Sequence, residues 1–181
     1  TSEEPKKSRQ MEPDIPEPRL ILASESPRRR QLLAQIGLSF QVIPSRADES
    51  VPEGLPPSDV VETLALKKAE EVASREADSL IIAADTIVVL DSRILGKPAD
   101  GPDAVQMLSR LSGRTHEVFT GVALLQTDSE NSITGRKSFS ERTKVTFATL
   151  TQDEIEGYVR SGIPMDKAGA YGIQDPFGSL F

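Results

Sequence analysis

Three consecutive arginines stand where the sequence predicts the first turn of a helix. The segment 24–30 reads SESPRRR, in which Ser26 is a typical N-cap and Pro27 suits the first helical position. A helix start carries a partial positive charge, so each cation placed there costs about 0.3–1 kcal/mol. A bound anion would remove this conflict, because backbone N–H groups, serine hydroxyls and arginine side chains would all bind phosphate oxygens. A solvated basic helix start with ordinary capping explains the same residues, and this segment alone leaves both interpretations open.

Asp85 is a second residue whose position indicates chemistry. It follows the apolar run 80–84, which predicts a buried strand, and α/β proteins bind their ligands at the ends of such strands. A turn residue is the alternative interpretation. Residues 86–89 continue with Thr-Ile-Val-Val, which is typical of a strand and not of a turn, so we favour a functional carboxylate.

Four further segments carry polar residues that could act in a site or lie on an ordinary surface. These are Asp48-Glu49 in a polar loop, Lys67-Lys68 on a predicted helix, Gly96-Lys97-Pro98, and the run 166–172. The small residues of the last run would let the backbone approach a ligand closely. The GxxxxGK[ST] spacing of a P-loop is absent. For His116, the only histidine, we expect a structural role.

Strands and helices alternate along the chain, which predicts an α/β fold. Apolar and β-branched runs predict strands over residues 20–23, 40–43, 80–84, 87–90, 118–125 and 144–150. Apolar residues at helical spacing predict one helix from Pro27 to Gly37 and one from a cap at Ser58 through Val72. Two shorter helices are predicted over 103–111 and 153–159. On the first helix, the apolar residues Leu32, Leu33 and Ile36 share one face.

Composition narrows the class of protein. Residues 1–18 have almost no apolar content, so we expect a disordered tail followed by one domain over 19–181. The formal net charge of −7 argues against a broad nucleic-acid-binding face, although converging cations could still bind a small polyanion. The sequence has no cysteine, which excludes disulfides and thiolate metal sites.

No apolar run approaches the roughly 20 residues that span a bilayer, and no segment has the order of a signal peptide. We therefore expect a cytoplasmic protein with no membrane partner. Because the sequence begins at Thr1, an upstream leader stays open.

Taken together, these segments resemble the Maf family of nucleoside triphosphate pyrophosphatases, also called septum-formation-inhibitor-like proteins. The motifs that carry the resemblance are LASESPRR at 22–29, ADE at 47–49, LKKA at 66–69, AADTIV at 83–88, GKP at 96–98, LSGRTH at 111–116, FTGV at 119–122 and DKAGAYGIQ at 166–174. None is decisive alone, but their order and spacing are highly specific.

The resemblance implies a mixed twisted sheet flanked by helices, with two lobes around a nucleotide-binding cleft, as in inosine triphosphate pyrophosphatases. It also implies hydrolysis of a nucleoside triphosphate to the monophosphate and pyrophosphate with Mg²⁺ or Mn²⁺. The implied catalytic residues are Asp85, Glu49 and Lys97, of which Asp85 and Glu49 are also the metal ligands. The implied substrate-binding residues are Ser24, Arg28, Arg29, Lys68, Thr86, Asp166, Lys167 and Gln174. Oxygen ligands suit such hard cations, and the single histidine disfavours a zinc site.

Three positions separate the branches of the family by substrate. The branch resembling thymidine and uridine triphosphate pyrophosphatases has Arg, Thr and Gln there, and the 7-methyl-GTP branch has Trp, Gln and Glu. This chain has Arg28, Thr86 and Gln174, which match the first branch. The amide of Gln174 can both donate and accept, which suits the C=O and N–H edge of uracil or thymine.

The chain departs from the family after Gln174. The family usually continues with a glycine-rich turn, a strand and a terminal helix, and we expect these last two elements to be missing here.

Two alternative functions stay open. One is a pyrophosphatase for deaminated purine nucleotides or 7-methyl-GTP, and the other is a non-catalytic nucleotide-binding regulator of cell division. The resemblance also implies a homodimer.

Overall fold

The protein folds into one mixed sheet flanked by helices, which confirms the predicted α/β class. The computed structural model describes residues 17–175 and 177. The strands are β1 Arg19–Leu22, β2 Gln41–Val42, β3 Ser79–Leu90, β4 Arg93–Leu95, β5 Thr115–Thr127 and β6 Ile133–Thr146. The helices are α1 Pro27–Gln35, α2 Pro57–Ala73, α3 Gly101–Leu111 and α4 Gln152–Arg160, followed by two 3₁₀ turns, Ile163–Asp166 and Ala168–Ala170. The predicted tail at 1–18 lies, up to residue 16, outside the described residues.

The main path of the sheet runs β2-β1-β3-β5-β6. β1 is parallel to both of its neighbours, whereas β3, β5 and β6 form an antiparallel meander. β4 pairs antiparallel with the last residues of β3. The two-lobed arrangement around a cleft stays a prediction.

β3 is a 12-residue strand in the middle of the sheet, and it runs without interruption from Ser79 to Leu90. The sequence predicted two runs with Asp85 at the end of the first one, and this prediction is wrong. β5 pairs with β3 continuously, and Asp85 lies opposite Gly121 in the middle of the ladder. Because that partner strand supplies backbone hydrogen bonds across Asp85 and Thr86, the strand does not end where the apolar run ends.

The opposite edge of β3 has a gap in its pairing. β1 covers residues 79–82 of this edge and β4 covers residues 88–90. None of the strands in the described part of the chain therefore pairs with residues 83–87 on that side. This short open edge, which we call the β3 gap, contains Asp85 and Thr86.

Helix α2 packs on one face of β3 and β5 at unusually close range. Gly121 makes this possible, since a Cβ atom at that position would lie 2.3 Å from the carbonyl carbon and oxygen of Val61. The α2 residues Val61, Leu64 and Ala65 are buried against the sheet, as their helical spacing predicts. The helix begins at Pro57 without a side-chain cap, so the predicted cap at Ser58 is wrong.

Helices α3 and α4 cover the far half of the sheet on the other face. Their core joins Leu108 and Tyr158 to Val88, Leu90 and other apolar residues. Helix α4 begins with a capping box in which the Thr151 side chain accepts from the Glu154 N–H and the Glu154 side chain accepts in return.

Strand β6 was predicted only in part. It begins at Ile133, whereas the sequence predicted a strand over 144–150. Its first residues are mostly polar and exposed, because β6 is an edge strand, so they lack the apolar pattern that signals a strand. The apolar residues Phe147 and Leu150 follow the strand and are buried in the core around Tyr158.

Helix α1 begins and ends as the sequence predicts but packs differently. Ser26 caps it by accepting from the Arg29 N–H, and Gly37 follows it with a φ of 78°. None of its residues is buried, and Leu32 and Ile36 are 45% and 69% exposed. Across the described part of the chain, no helix has the length and apolar character needed to cross a membrane.

Candidate active site

A lysine links the two carboxylates that the sequence picked out as candidate metal ligands. Lys68 Nζ lies 2.5 Å from Asp85 Oδ1 and 3.1 Å from Glu49 Oε1. The side chains of Lys68 and Asp85 are only 17% and 15% exposed, whereas that of Glu49 is 65% exposed. The inner pair is thus shielded from solvent, and Glu49 forms the outer rim.

Elements far apart in sequence position this trio. Asp85 extends from β3 toward α2, and Lys68 extends from α2 toward the sheet. Gly121, directly opposite Asp85 on β5, lets the backbone of α2 sit close enough for the ion pair. Glu49 comes from the loop between β2 and α2.

Arg29 occupies the β3 gap from the side of α1. Its Nη1 donates to Ala84 O at 3.0 Å and to Ser24 Oγ at 3.3 Å, and its Nη2 donates to Thr86 Oγ1 at 3.4 Å. The guanidinium therefore takes the place of a strand partner along part of the open edge. It also fixes the loop that leads into α1 against β3.

The charge of Arg29 has no close counter-ion among the described residues. All three of its acceptors are neutral, and it forms no ion pair within 4.0 Å in that part of the chain. Burial lowers the pKa of Arg29, while the charge of Asp85 acts in the opposite direction. A half-buried cation with neutral partners is arranged to receive an anion.

The remaining residues of the SESPRRR segment lie around this cation. Ser24 is buried, and its Oγ also accepts from the Ser26 N–H at 3.2 Å. The first turn of α1 has no acidic residue. Arg28 and Arg30 are exposed and form no ion pair with any described residue. A role for Arg28 in binding stays a prediction.

A second group of predicted residues lies on the far side of the gap. Lys97 is exposed and follows β4, while Lys167 Nζ donates to Ile163 O at 2.8 Å and to Asp166 Oδ1 at 3.2 Å. A backbone hydrogen bond from Gly169 N to Gly96 O joins the two segments at 3.1 Å. The structure thus brings the GKP and DKAGAYG segments together.

Among the described residues, no hydrogen bond or ion pair joins the two groups of candidate residues. The first group has two sets of contacts, those of Arg29 with Ser24 and Thr86 and those of Lys68 with Glu49 and Asp85. The two sets meet where Asp85 and Thr86 are adjacent in β3. Lys97, Asp166, Lys167 and Gln174 belong to the second group, and Gln174 is exposed after the last 3₁₀ turn. Contacts between the second group and a ligand stay predictions.

The donor set at Glu49 and Asp85 suits a magnesium-type ion. Within the described residues there is no group of three or more His, Cys, Asp or Glu side chains that could hold a metal. Mg²⁺, however, is usually bound by one or two carboxylates together with substrate phosphates and water, not by a cage of protein ligands. Two carboxylates that share one ammonium group fit that requirement.

Sequence reasoning missed Thr120 and Gly121, although both lie in the FTGV motif. Thr120 Oγ1 lies 3.0 Å from Thr86 Oγ1 on the neighbouring strand. Gly121 sets the distance between α2 and the sheet. A signal existed, since a glycine inside a strand pattern often marks a close backbone approach.

Comparisons with known proteins agree with the motifs. The family model described as "Maf-like protein" matches residues 19–181. A dTTP/UTP pyrophosphatase of Moorella thermoacetica is 54% identical over 157 residues, which are 86% of this chain and 78% of the relative. A dTTP/UTP pyrophosphatase of Bacillus cereus is 50% identical over 163 residues, which are 90% of this chain and 82% of that relative.

Among solved structures, the Staphylococcus aureus Ham1 protein matches with a TM-score of 0.50 and 15% identity, covering 90% of both chains. This likeness concerns the fold alone. The family model covers every motif quoted above, and each of the two relatives aligns with most of the chain. The chain therefore belongs to the Maf family.

Proposed function

We propose that this chain hydrolyses nucleoside triphosphates, with dTTP and UTP as preferred substrates, to the monophosphate and pyrophosphate. The observation that carries the proposal is the convergence at the β3 gap of a guanidinium with a pair of carboxylates bridged by Lys68. Within the described residues, this guanidinium has no counter-ion. Cations can bind the triphosphate there while a carboxylate acts on water. The names of the Moorella and Bacillus relatives support the same substrates.

The proposed roles follow from the charge of each group. A triphosphate carries about four negative charges, which must be neutralised before a nucleophile can approach. Arg29, the N–H groups at the start of α1 and Lys68 bind phosphate oxygens. Glu49 and Asp85 would hold Mg²⁺ or Mn²⁺, which supplies further charge neutralisation when bound.

Asp85 is the proposed general base. It orients a water molecule and takes one of its protons as the water oxygen forms a bond to the α-phosphorus. The bond between that phosphorus and the oxygen bridging to the β-phosphorus breaks, and pyrophosphate leaves with the bonding electrons. Lys68 holds the Asp85 carboxylate in place through its 2.5 Å contact.

The preference for pyrimidines rests on the proposed roles of three residues. Thr86 lies beside Arg29 in the β3 gap. Arg28, in the first turn of α1, and Gln174, after the last 3₁₀ turn, are both exposed. From the second group, Lys97 would complete the catalytic residues, and Asp166 and Lys167 would complete the substrate-binding residues. A homodimer and a cytoplasmic location are further expectations from the sequence.

A panel of triphosphates tests the substrate. Pyrophosphate release should be measured with dTTP, UTP, CTP, ATP, GTP, ITP and 7-methyl-GTP, each with Mg²⁺, Mn²⁺ and Co²⁺ and with a chelator. We expect metal-dependent release that is fastest with dTTP and UTP. Preference for a guanine or hypoxanthine nucleotide would contradict the pyrimidine assignment, and no release from any triphosphate would favour the regulator.

The variant Asp85→Asn tests the mechanism. Because general acid–base catalysis contributes about 10²–10⁴-fold, we expect kcat to fall by that factor while nucleotide binding, measured by calorimetry, persists. Asp153→Asn is the matched control, since Asp153 is an exposed carboxylate in the first turn of α4. Equal activity of Asp85→Asn and wild type would exclude Asp85 as the base.

A further inference from the structure

Thr120 extends the row of polar groups that begins at Arg29. Thr86 and Thr120 are directly opposite each other on β3 and β5, so their side chains share one face of the sheet. Their hydroxyl oxygens are 3.0 Å apart, and Arg29 Nη2 donates to Thr86 Oγ1 from the other side. Arg29, Thr86 and Thr120 thus form a row that runs from the β3 gap onto the sheet.

The hydroxyl groups of Thr86 and Thr120 have one more hydrogen to donate than the contacts in this row use. Each threonine hydroxyl has one hydrogen and can accept two bonds. Arg29 supplies its own hydrogen to Thr86, and only one of the two hydroxyl hydrogens can lie between Oγ1 of Thr86 and Oγ1 of Thr120. Neither hydroxyl has another acceptor among the described residues, so one O–H donor of the pair is available to a ligand.

The surroundings of the pair favour a neutral acceptor over a phosphate. Thr86 and Thr120 lie on the face of the sheet opposite Asp85, because adjacent residues of a strand point to opposite faces. The next cross-strand pair on their face is Ala84 and Val122, which are apolar. A small apolar surface beside a neutral donor suits a flat base with a carbonyl group, whereas the charged groups suit the phosphates.

We propose that Thr120 is a specificity-determining residue, which together with Thr86 donates a hydrogen bond to a carbonyl oxygen of the pyrimidine base. The proposal rests on the triphosphate hydrolysis proposed above. Uracil and thymine carry two carbonyl oxygens, cytosine has an amino group in place of one, and adenine has none. A hydroxyl donor therefore contributes to the preference for uracil and thymine over adenine, and over cytosine where it meets the oxygen at C4.

The test combines the variant Thr120→Val with thio-substituted substrates. Values of kcat/KM are measured for UTP, 2-thio-UTP and 4-thio-UTP, because sulfur is a weak acceptor in place of one carbonyl oxygen. We expect Thr120→Val to lower kcat/KM for UTP about tenfold, the scale of one lost hydrogen bond. It should have little effect on whichever thio analogue already lacks that bond. Thr120→Ser keeps the hydroxyl and should retain the UTP rate.

Thr115→Val is the matched control. Thr115 lies on the same strand and forms the same type of cross-strand hydroxyl pair with Thr146 at 2.7 Å. It is exposed, however, and its hydroxyl forms no hydrogen bond with an arginine in the described part of the chain. It should leave all three kcat/KM values unchanged, which separates base recognition from sheet stability.

Two results would overturn the role of Thr120 while leaving the proposed function intact. One is an unchanged UTP rate in Thr120→Val. The other is an equal loss for UTP and both thio analogues, which would indicate a phosphate contact or a structural effect. Absence of pyrophosphate release by the wild type would instead remove the proposed function, and the inference with it.

Discussion

At the scale of single residues, Arg29 has two tasks that its neighbours do not share. It bonds to Ala84 O in the β3 gap, and it keeps a charge that no described carboxylate neutralises within 4.0 Å. Arg28 and Arg30 flank it in the sequence, but both point into solvent. Of the three arginines at the start of α1, Arg29 is therefore packed against the sheet, whereas Arg28 and Arg30 lie on the surface.

Replacement of Arg29 by lysine keeps the positive charge but removes the planar guanidinium, so it tests whether the arrangement of its N–H donors matters. A lysine ammonium cannot reach Ala84 O, Ser24 Oγ and Thr86 Oγ1 in one plane, so we expect the KM for dTTP to rise about tenfold or more. Steady-state kinetics would measure the change. Arg30→Lys is the control and should behave as wild type. An unchanged KM in Arg29→Lys would show that charge alone suffices.

At the scale of elements, the distance between α2 and the sheet decides the site. The backbone of α2 sits directly on Gly121, and the same helix carries Lys68 to Asp85. A side chain at position 121 would meet backbone atoms that cannot rotate away. The glycine is thus required by packing, and the ion pair depends on that packing.

The variant Gly121→Ala should displace α2. The new Cβ would lie 2.3 Å from Val61 C and O and 2.7 Å from Glu62 N, and overpacking of this kind costs about 1–3 kcal/mol of unfolding free energy. Urea unfolding would measure the loss, and kcat should fall as well because Lys68 moves with the helix. Gly135→Ala in β6 is the control, since its nearest contact would be 3.4 Å to Gln126 Cβ. Equal unfolding free energies of Gly121→Ala and Gly135→Ala would contradict the conclusion that close packing of α2 requires a glycine at position 121.

At the scale of the whole molecule, an aromatic cluster fastens the segment after α4 to the sheet. His116 Nε2 and Tyr171 Oη are 2.7 Å apart, and Phe147 packs edge-on against both rings. Burial lowers the pKa of His116 and raises that of Tyr171 to about 12. Both rings are therefore neutral near pH 7, and the segment that carries Lys167 is anchored through them.

The lowered pKa of His116 makes stability depend on pH. The unfolded chain binds a proton at His116 near the ordinary value of about 6.5, whereas the folded chain binds it only at lower pH. The unfolded state thus holds more protons in that window, so the unfolding free energy falls as pH decreases, by up to about 1.4 kcal/mol per pH unit.

Measurements of urea unfolding between pH 7.5 and 5.5 would test this effect. The wild type should lose stability more steeply than His116→Gln, in which the titrating group is gone. The difference between the two curves cancels the contribution of the carboxylates. Parallel curves would mean that His116 titrates alike in both states.

Much of the fold and part of the candidate site could be predicted from the sequence. The N-cap at Ser26, the apolar stripe of α2 and the alternation of strands and helices are local patterns, because they depend on residues within one turn or one strand. The exposed edge strand β6 was predicted only in part, since its polar residues lack any apolar alternation. The residue types that suit phosphate chemistry were visible, but not their neighbours in space.

Only the tertiary structure decided which of these residues meet. Asp85 proved to lie in the middle of β3 because β5 continues the ladder past it, and Lys68 reaches it because Gly121 admits the helix backbone. The row from Arg29 to Thr120 joins residues from three elements. The sequence by itself thus determined the chemical groups and the family. Pairing between strands and close packing of α2 determined their arrangement, because both depend on contacts between distant parts of the chain.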